Sequence, residues 1–140
     1  MSELDALYQE IIQDHRKAPR NFGPLAGSNV TQEGYNPLCG DRVVLELDVE
    51  GGKLKGCGFQ GEGCAICMAS ASLMTEEVKG YTVPEALAAV QDFRDLMMGK
   101  REPDESGDRE VEALAGVRRF PVRIKCALLP WTTLREALEK

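Results

Sequence analysis

The chain has 140 residues, of which 43% are hydrophobic and 29% are charged, and its formal net charge is −6. This length and composition predict a single soluble domain over residues 1–140, large enough to form a core without disulfide bonds. No basic patch stands out in the sequence, which argues against a typical nucleic-acid-binding protein, and no run approaches the ~20 apolar residues that a membrane span needs. The N-terminus shows no signal-peptide pattern, so we expect a cytoplasmic protein that keeps its thiols reduced.

The first half of the chain predicts a helix followed by a β-hairpin. Apolar residues recur at helical spacing near the N-terminus, which predicts an amphipathic helix that ends before Pro19. Alternating apolar residues over Val43–Val49 predict a half-buried strand. Gly51–Gly52 then predicts a tight turn into a returning strand over Lys53–Gln60. The polar segment 22–34 carries no such pattern, and no strand is predicted there.

The second half of the chain predicts helices only. A run rich in Ala, Met and Leu predicts a helix over Cys64–Lys79, with the first cysteine at its N-terminus. Thr82 and Glu85 form a capping box that opens the next helix. A short helix is expected over Glu110–Ala115, and a last one from Pro121 onward. This order predicts an α+β fold in which helices cover one face of a small antiparallel sheet.

Pro130 falls inside the last predicted helix, four residues after Cys126. Proline cannot donate to the carbonyl four residues earlier, and its ring clashes with that carbonyl. We therefore expect the helix to be kinked at Cys126 or to restart after it. The alternative interpretation is that Pro130 simply separates two short helices.

Five cysteines occur in the chain, an odd number that argues against a disulfide framework. Cys39 and Asp41 are separated only by Gly40, and residues two apart in an extended chain point to the same side. Glycine would keep the space between them free of a side chain. The predicted hairpin brings Cys39 near Cys64, and Cys126 supplies a further thiol, so zinc or an iron–sulfur cluster could be bound. Spacing alone also allows buried cysteines without any metal, because cysteine is commonly a core residue.

Three separated motifs surround these residues. Asn-Pro-Leu-Cys-Gly-Asp spans Asn36–Asp41, Gly-Glu-Gly-Cys-Ala-Ile spans Gly61–Ile66, and Arg-Ile-Lys-Cys-Ala spans Arg123–Ala127. Together with Asp14–His15 and Pro19–Asn21, they resemble the U-type iron–sulfur cluster assembly proteins, the family of IscU, SufU and the N-terminal part of NifU. The resemblance covers almost the whole chain and implies the SufE/NifU-like α+β fold.

Within this family the chain resembles SufU more than IscU. IscU-type scaffolds have a histidine directly before the last shared cysteine, where this chain has Lys125. The interval between Cys64 and Cys126 is also longer than in IscU. The extra region falls at about Phe93–Val117, as is typical of SufU-like members.

Resemblance to SufU implies a zinc-dependent sulfurtransferase-type carrier. Such proteins accept persulfide sulfur from a PLP-dependent cysteine desulfurase of the SufS type and pass it to downstream cluster-assembly proteins. Carried over residue by residue, Cys39 would be the catalytic sulfur acceptor and a Zn²⁺ ligand, and Asp41, Cys64 and Cys126 would be the other metal ligands. Two alternatives stay open, a scaffold for assembly of a [2Fe–2S] cluster and a domain whose zinc is purely structural.

A site in which three thiolates and one carboxylate hold Zn²⁺ has a formal net charge of about −2, which favours a nearby cation. Arg123 and Lys125 flank Cys126, and on a helix they cannot both share its face, so we favour Arg123 as that cation. The alternative is that both side chains are simply exposed to solvent. Three other residues are expected outside the site. Cys57 is interpreted as filler, and so is Cys67, which could also serve as a spare ligand or resolving thiol. His15 is expected near the end of the first helix without a metal role.

Overall fold

A three-stranded antiparallel sheet and four α-helices make up the computed structural model, which describes residues 3–104 and 109–139. The predicted α+β fold with a small antiparallel sheet packed by helices is confirmed. None of the described helices is long and apolar enough to cross a membrane. In chain order the elements are α1 (Glu3–Lys17), β1 (Val30–Asn36), β2 (Asp41–Glu50), β3 (Lys53–Glu62), α2 (Ala65–Val78), α3 (Val83–Met97), a 3₁₀ helix (Glu110–Arg119) and α4 (Pro121–Leu138).

The β2–β3 hairpin forms where the alternating sequence predicts it. Val43, Leu45 and Leu47 on β2 are fully buried, whereas the residues between them are partly exposed. Asp41 lies two residues before Val43 on the same face, so its side chain points inward and only 2% of the residue is exposed. Because the end of β3 pairs with the start of β2, the residues that follow β3 lie beside this aspartate.

The first strand, β1, is not predicted by the sequence. Its residues are mostly polar, and along it only Gly34 is buried. The strand pairs with β2 at the edge of the sheet, where one polar face meets solvent, so apolar alternation is absent. A Cβ atom at Gly34 would collide with the side chain of Thr133 on α4. This glycine therefore allows α4 to pack directly against β1.

Helix α4 continues through Pro130, so the predicted restart after Cys126 and the division into two short helices are wrong. Proline still removes one helical hydrogen bond at this point. The buried Ser70 of α2 donates to the Ala127 carbonyl at 2.6 Å and accepts from the Trp131 indole at 3.0 Å. These bonds tie α2 to both sides of the weakened turn, which supports the uninterrupted helix that carries Cys126.

The segment predicted as a short helix ending near Ala115 is a longer 3₁₀ helix that reaches Arg119. Gly116 does not end it. Instead α1 packs closely at this glycine, because a Cβ atom there would press against the Tyr8 ring. The buried Glu112 of the same segment accepts two hydrogen bonds of 2.7 Å from Arg101. Contacts to distant parts of the chain thus hold this element, which local sequence signals do not reveal.

Candidate metal centre

Cys39 lies in a turn of residues 37–40 that joins β1 to β2. The Asn36 side chain accepts from the Leu38 N–H at 3.1 Å, and the Asn36 carbonyl accepts from the Gly40 N–H at 2.8 Å. Gly40 has φ +75°, a left-handed conformation that glycine adopts without strain, and nothing lies within 4 Å of a Cβ atom built on it. The expectations that this stretch is extended and that Gly40 clears space are therefore wrong, since this glycine reverses the chain.

Asp41 connects the turn to the neighbouring strand end. Its Oδ1 accepts from the backbone N–H of Cys64 at 2.9 Å, and its Oδ2 lies 3.0 Å from the Cys39 Sγ. A Cβ atom at Gly63 would come within 2.9 Å of the Asp41 Oδ1. Gly63 therefore leaves the space that this buried carboxylate occupies, a role that the sequence signalled only by a glycine directly before Cys64.

Cys64 is the N-terminal cap of α2, as the sequence predicts. Its Sγ accepts from the Cys67 N–H at 3.5 Å and lies 3.9 Å from the Asp41 Oδ2. Gly61 and Glu62 belong to β3, so this strand continues past Gln60, where the sequence predicted its end. Close pairing with β2 explains Gly61, since a Cβ atom at that position would collide with the β2 backbone. Cys64 is thus held by a strand on one side and a helix on the other.

Cys126 reaches the same place from α4. Its side chain is buried in a small cluster with Val43 and Cys67, and its Sγ lies 3.6 Å from the Cys39 Sγ. Two thiols that are 87 residues apart in sequence therefore meet at the end of the sheet. Their partner in this arrangement is the carboxylate of Asp41.

One ligand atom from each of Cys39, Asp41 and Cys126 lies within 4.8 Å of the others. Two sulfurs on a tetrahedral zinc ion, with Zn–S bonds of ~2.3 Å, are about 3.8 Å apart. The observed Sγ–Sγ distance of 3.6 Å between Cys39 and Cys126 is compatible with this geometry. Cys64 is not in the mutual group, and only its contact with Asp41 links it to the other ligands. Thiolates and a carboxylate suit zinc and also the iron of a cluster.

The charges of the cluster are unbalanced. Burial opposes ionisation of Asp41, but hydrogen bonds from the Cys39 and Cys126 thiols outweigh it and lower the pKa of the carboxyl. The Cys64 N–H and the charge of Arg123 lower this pKa further. Burial raises the pKa of the Cys126 thiol, and its hydrogen bond to Asp41 raises it further. Without a cation, Asp41 is therefore charged and Cys126 neutral, whereas a bound divalent cation would stabilise the thiolate form.

Arg123 is the basic side chain beside this cluster, as the sequence favours. It is exposed at the start of α4, and hydrogen bonding to Cys126, together with the negative charge of Cys64, raises the pKa of its guanidinium. It carries the positive charge that partly offsets the negative ligands. A guanidinium can approach sulfur and carboxylate ligands while it stays solvated.

The other cysteines and the histidine lie outside the mutual group of ligand atoms. Cys57 is buried in β3, where burial raises its pKa to about 12. Cys67 is fully buried, and burial raises the pKa of its thiol. His15 is also buried, with Nδ1 2.6 Å from the Ser72 Oγ and Nε2 3.2 Å from the Glu110 Oε2. It links α1, α2 and the 3₁₀ helix, which is a packing role.

Comparison with known proteins identifies the family to which the chain belongs. Residues 7–127 match the family model described as the NifU-like N terminal domain. The zinc-dependent sulfurtransferase SufU of Bacillus subtilis is 45% identical over 139 residues, which cover 99% of this chain and 94% of that protein. The scaffold protein IscU of Streptococcus pyogenes is 39% identical over 140 residues, covering 100% and 87%.

Solved structures show the same architecture. A crystal structure from Fervidobacterium islandicum, described as a candidate iron–sulfur cluster assembly scaffold for the SUF system, has a TM-score of 0.85 and 37% identity. That match covers 95% of this chain and 97% of the other. A NifU-like N-terminal structure from Brucella abortus, at 22% identity, TM-score 0.84 and coverage of 99% and 96%, shares the fold. The chain belongs to the NifU-like N-terminal domain family, which includes SufU and IscU, and it is a protein of iron–sulfur cluster assembly.

Proposed function

We propose that this chain is a zinc-dependent sulfur carrier that accepts persulfide sulfur from a PLP-dependent cysteine desulfurase. The observation that carries the proposal is the position of Cys39, the exposed thiol of the group, beside Asp41 at 3.0 Å and Cys126 at 3.6 Å. A sulfur acceptor must reach its donor, whereas a purely structural zinc site is closed. The similarity to SufU of Bacillus subtilis supports zinc and sulfur transfer.

Cys39, Asp41, Cys64 and Cys126 would hold the zinc ion. Zinc would keep the cysteine ligands deprotonated at neutral pH. Cys64 is the proposed fourth ligand because its Sγ already faces the Asp41 Oδ2 at 3.9 Å. The Cys64 N–H holds the other carboxylate oxygen, which fixes the orientation of Asp41.

The transfer step exchanges one sulfur–sulfur bond for another. The Cys39 thiolate attacks the outer sulfur of the donor persulfide, the donor S–S bond breaks, and the donor cysteine leaves as a thiolate. Cys39 then carries the persulfide, and no net oxidation or reduction occurs. The turn at residues 37–40 presents this thiol outward, and Arg123 lies beside the ligands, where its charge favours the anionic sulfur species.

Assembly of a [2Fe–2S] cluster is the second candidate function. It is favoured by the relatives named as IscU scaffolds, at 39% identity in Streptococcus pyogenes and 37% in Thermotoga maritima. Three thiols and a carboxylate could also hold such a cluster. Against it stands Lys125, which replaces the histidine expected in IscU-type scaffolds. Downstream cluster-assembly proteins would be the recipients in either case.

Metal analysis and desulfurase turnover test the proposal together. Protein purified without added metal should be colourless and contain stoichiometric zinc. It should stimulate the turnover of a SufS-type cysteine desulfurase, Cys39→Ser should lose this stimulation, and Cys57→Ser, the buried control, should keep it. Brown protein with stoichiometric iron and sulfide would favour the scaffold instead. Full stimulation by Cys39→Ser would contradict the role of this residue as acceptor.

A further inference from the structure

Exposed apolar side chains are concentrated next to Cys39. Six large apolar residues of the described chain are exposed, and Leu38 and Val122 are the most exposed, at 82% and 84%. These two line a cavity of about 700 Å³ whose wall includes Cys39. Two more of the six, Tyr35 and Met98, line a neighbouring cavity of about 490 Å³. Exposed apolar groups grouped in this way mark interaction surfaces more often than single ones do.

The two cavities adjoin each other and are called here the α4 groove. Asn36, Pro121 and Lys125 contribute to the walls of both. The β1–β2 turn forms one side of the groove, and the first turns of α4 form the other. The apolar side chains of Ile124 and Leu128 extend the groove away from the cysteine cluster. A partner segment in the groove would therefore lie beside the thiol of Cys39.

All the charged residues among the described walls of the α4 groove are basic. They are Arg94, Arg123 and Lys125, whereas the chain as a whole has a formal charge of −6. Arg94 and Lys125 have no ion-pair partner within the described part of the chain. The cavity beside Cys64 differs, since its wall contains both Arg16 and Glu62. The charge of the groove is thus a local feature of the Cys39 side.

We propose that the α4 groove binds a segment of the sulfur-donating protein that carries apolar side chains flanked by carboxylates, and so brings the donor persulfide to Cys39. This inference rests on the proposed function and adds to it the surface and chemistry of the partner. A second copy of the chain fits less well. A two-fold interface would place the basic groups of one groove against those of the other. An acidic, partly apolar segment would match both the basic charge and the apolar walls of the groove.

Charge and apolar variants of the zinc-loaded chain test the groove by calorimetric titration with a SufS-type cysteine desulfurase. Arg94→Glu combined with Lys125→Glu should weaken binding about tenfold or more and reduce its dependence on salt. Met98→Asp should also weaken binding. Lys53→Glu combined with Lys55→Glu makes the same charge change on the exposed part of β3 and should leave affinity unchanged. Wild-type affinity in the Arg94 and Lys125 double variant would overturn the proposal, as would a wild-type chain that does not bind the desulfurase.

Two further measurements separate docking from sulfur transfer. Loading of Cys39 by inorganic polysulfide needs no protein partner and should be equal in the wild type and in every groove variant. If the wild type binds the desulfurase through the groove but takes up no sulfur on Cys39 from either donor, the proposed function fails while the docking site stands. Analytical ultracentrifugation supplies the other check. A dimer that dissociates only in the groove variants would assign the groove to self-association and overturn the inference.

Discussion

Two buried carboxylates in this protein are equally exposed but differ in the charge of the groups around them. Asp41 and Glu112 are each only 2% exposed. Glu112 accepts two hydrogen bonds of 2.7 Å from Arg101 and one of 2.8 Å from the Asp104 N–H, and Arg109 approaches to 3.3 Å. The nearest partners of Asp41 are a backbone N–H and the weak S–H donors of cysteines.

The difference distinguishes Glu112, whose charge is balanced within the chain, from the candidate metal ligand Asp41. Burial of a charge is tolerated when cations and strong donors surround it, and Glu112 meets this condition within the chain. Asp41 does not, because its donors are one backbone N–H and thiols that are themselves potential anions, and the neighbouring Arg123 is exposed to solvent. A bound cation would balance these groups, so the incomplete charge balance at this buried position supports the proposed metal site.

Replacing the carboxylate by an amide should lower the free energy of unfolding more at Glu112 than at Asp41. Glu112→Gln keeps the volume of the side chain but leaves Arg101 and Arg109 without their buried counter-charge. We expect a loss of about 3 kcal/mol in the free energy of unfolding, measured by urea denaturation. Zinc content should be unchanged. Wild-type stability in this variant would show that the ion pairs contribute nothing and would remove the basis of the comparison.

Asp41→Asn should affect the metal more than the fold. The amide oxygen can still accept from the Cys64 N–H, so metal-free stability should fall by about 1 kcal/mol or less. Loss of the negative ligand should reduce zinc affinity about 100-fold, measured by competition with a chromophoric chelator. Circular dichroism before and after chelation shows whether the fold needs zinc. Equal zinc affinity in the variant and the wild type would exclude Asp41 as a ligand.

Gly63→Ala should disturb the position of Asp41 without removing any charge. The added Cβ would lie 2.9 Å from the Asp41 Oδ1 and displace the carboxylate. We expect about tenfold weaker zinc binding, in the range seen when groups that position metal ligands are changed. Gly80→Ala is the control, since Gly80 adopts φ +88° with nothing within 4 Å of the added atom. It should lower stability through backbone strain and leave zinc affinity unchanged.

Lowering the pH should weaken the ion pairs and hydrogen bonds of Glu112. Burial alone would raise the pKa of Glu112, but the bonds from Arg101 and the Asp104 N–H outweigh it and hold this pKa below its ordinary value of about 4.5. The stabilisation is therefore complete above that value and is lost as the pH falls through the lower pKa of the folded state. Urea denaturation at several pH values should show the wild type and Glu112→Gln converging in stability as the pH falls. A constant difference would contradict the assignment.

Local sequence signals predicted those parts of the fold that depend on local physics. The alternation through Val43, Leu45 and Leu47 predicted β2, and the capping box of Thr82 and Glu85 is present at the start of α3. Both follow from interactions within a few residues. The prediction that Cys64 begins α2 rests on the same kind of signal, a change in composition after two glycines.

The missed features depend on contacts between distant residues. β1 is a polar edge strand, and its buried Gly34 is explained only by Thr133 on α4. The turn at Cys39 depends on the left-handed Gly40, whose conformation the motif does not reveal. Glu112 lies in the 3₁₀ helix and pairs with Arg101, which precedes that helix, and no local sequence pattern predicts this ion pair. For the candidate site, the four ligand positions remain a prediction from the family motifs, and the structure adds the distances between them and the unbalanced charge.

Mapping of persulfide on the zinc-loaded protein tests directly whether Cys39 accepts sulfur from the desulfurase. The chain is incubated with a SufS-type cysteine desulfurase and cysteine, alkylated, digested and examined by mass spectrometry. We expect one additional sulfur atom on the peptide that contains Cys39 and none on the peptides of Cys57 and Cys67. Persulfide on either buried cysteine but not on Cys39, or on no cysteine at all, would contradict it.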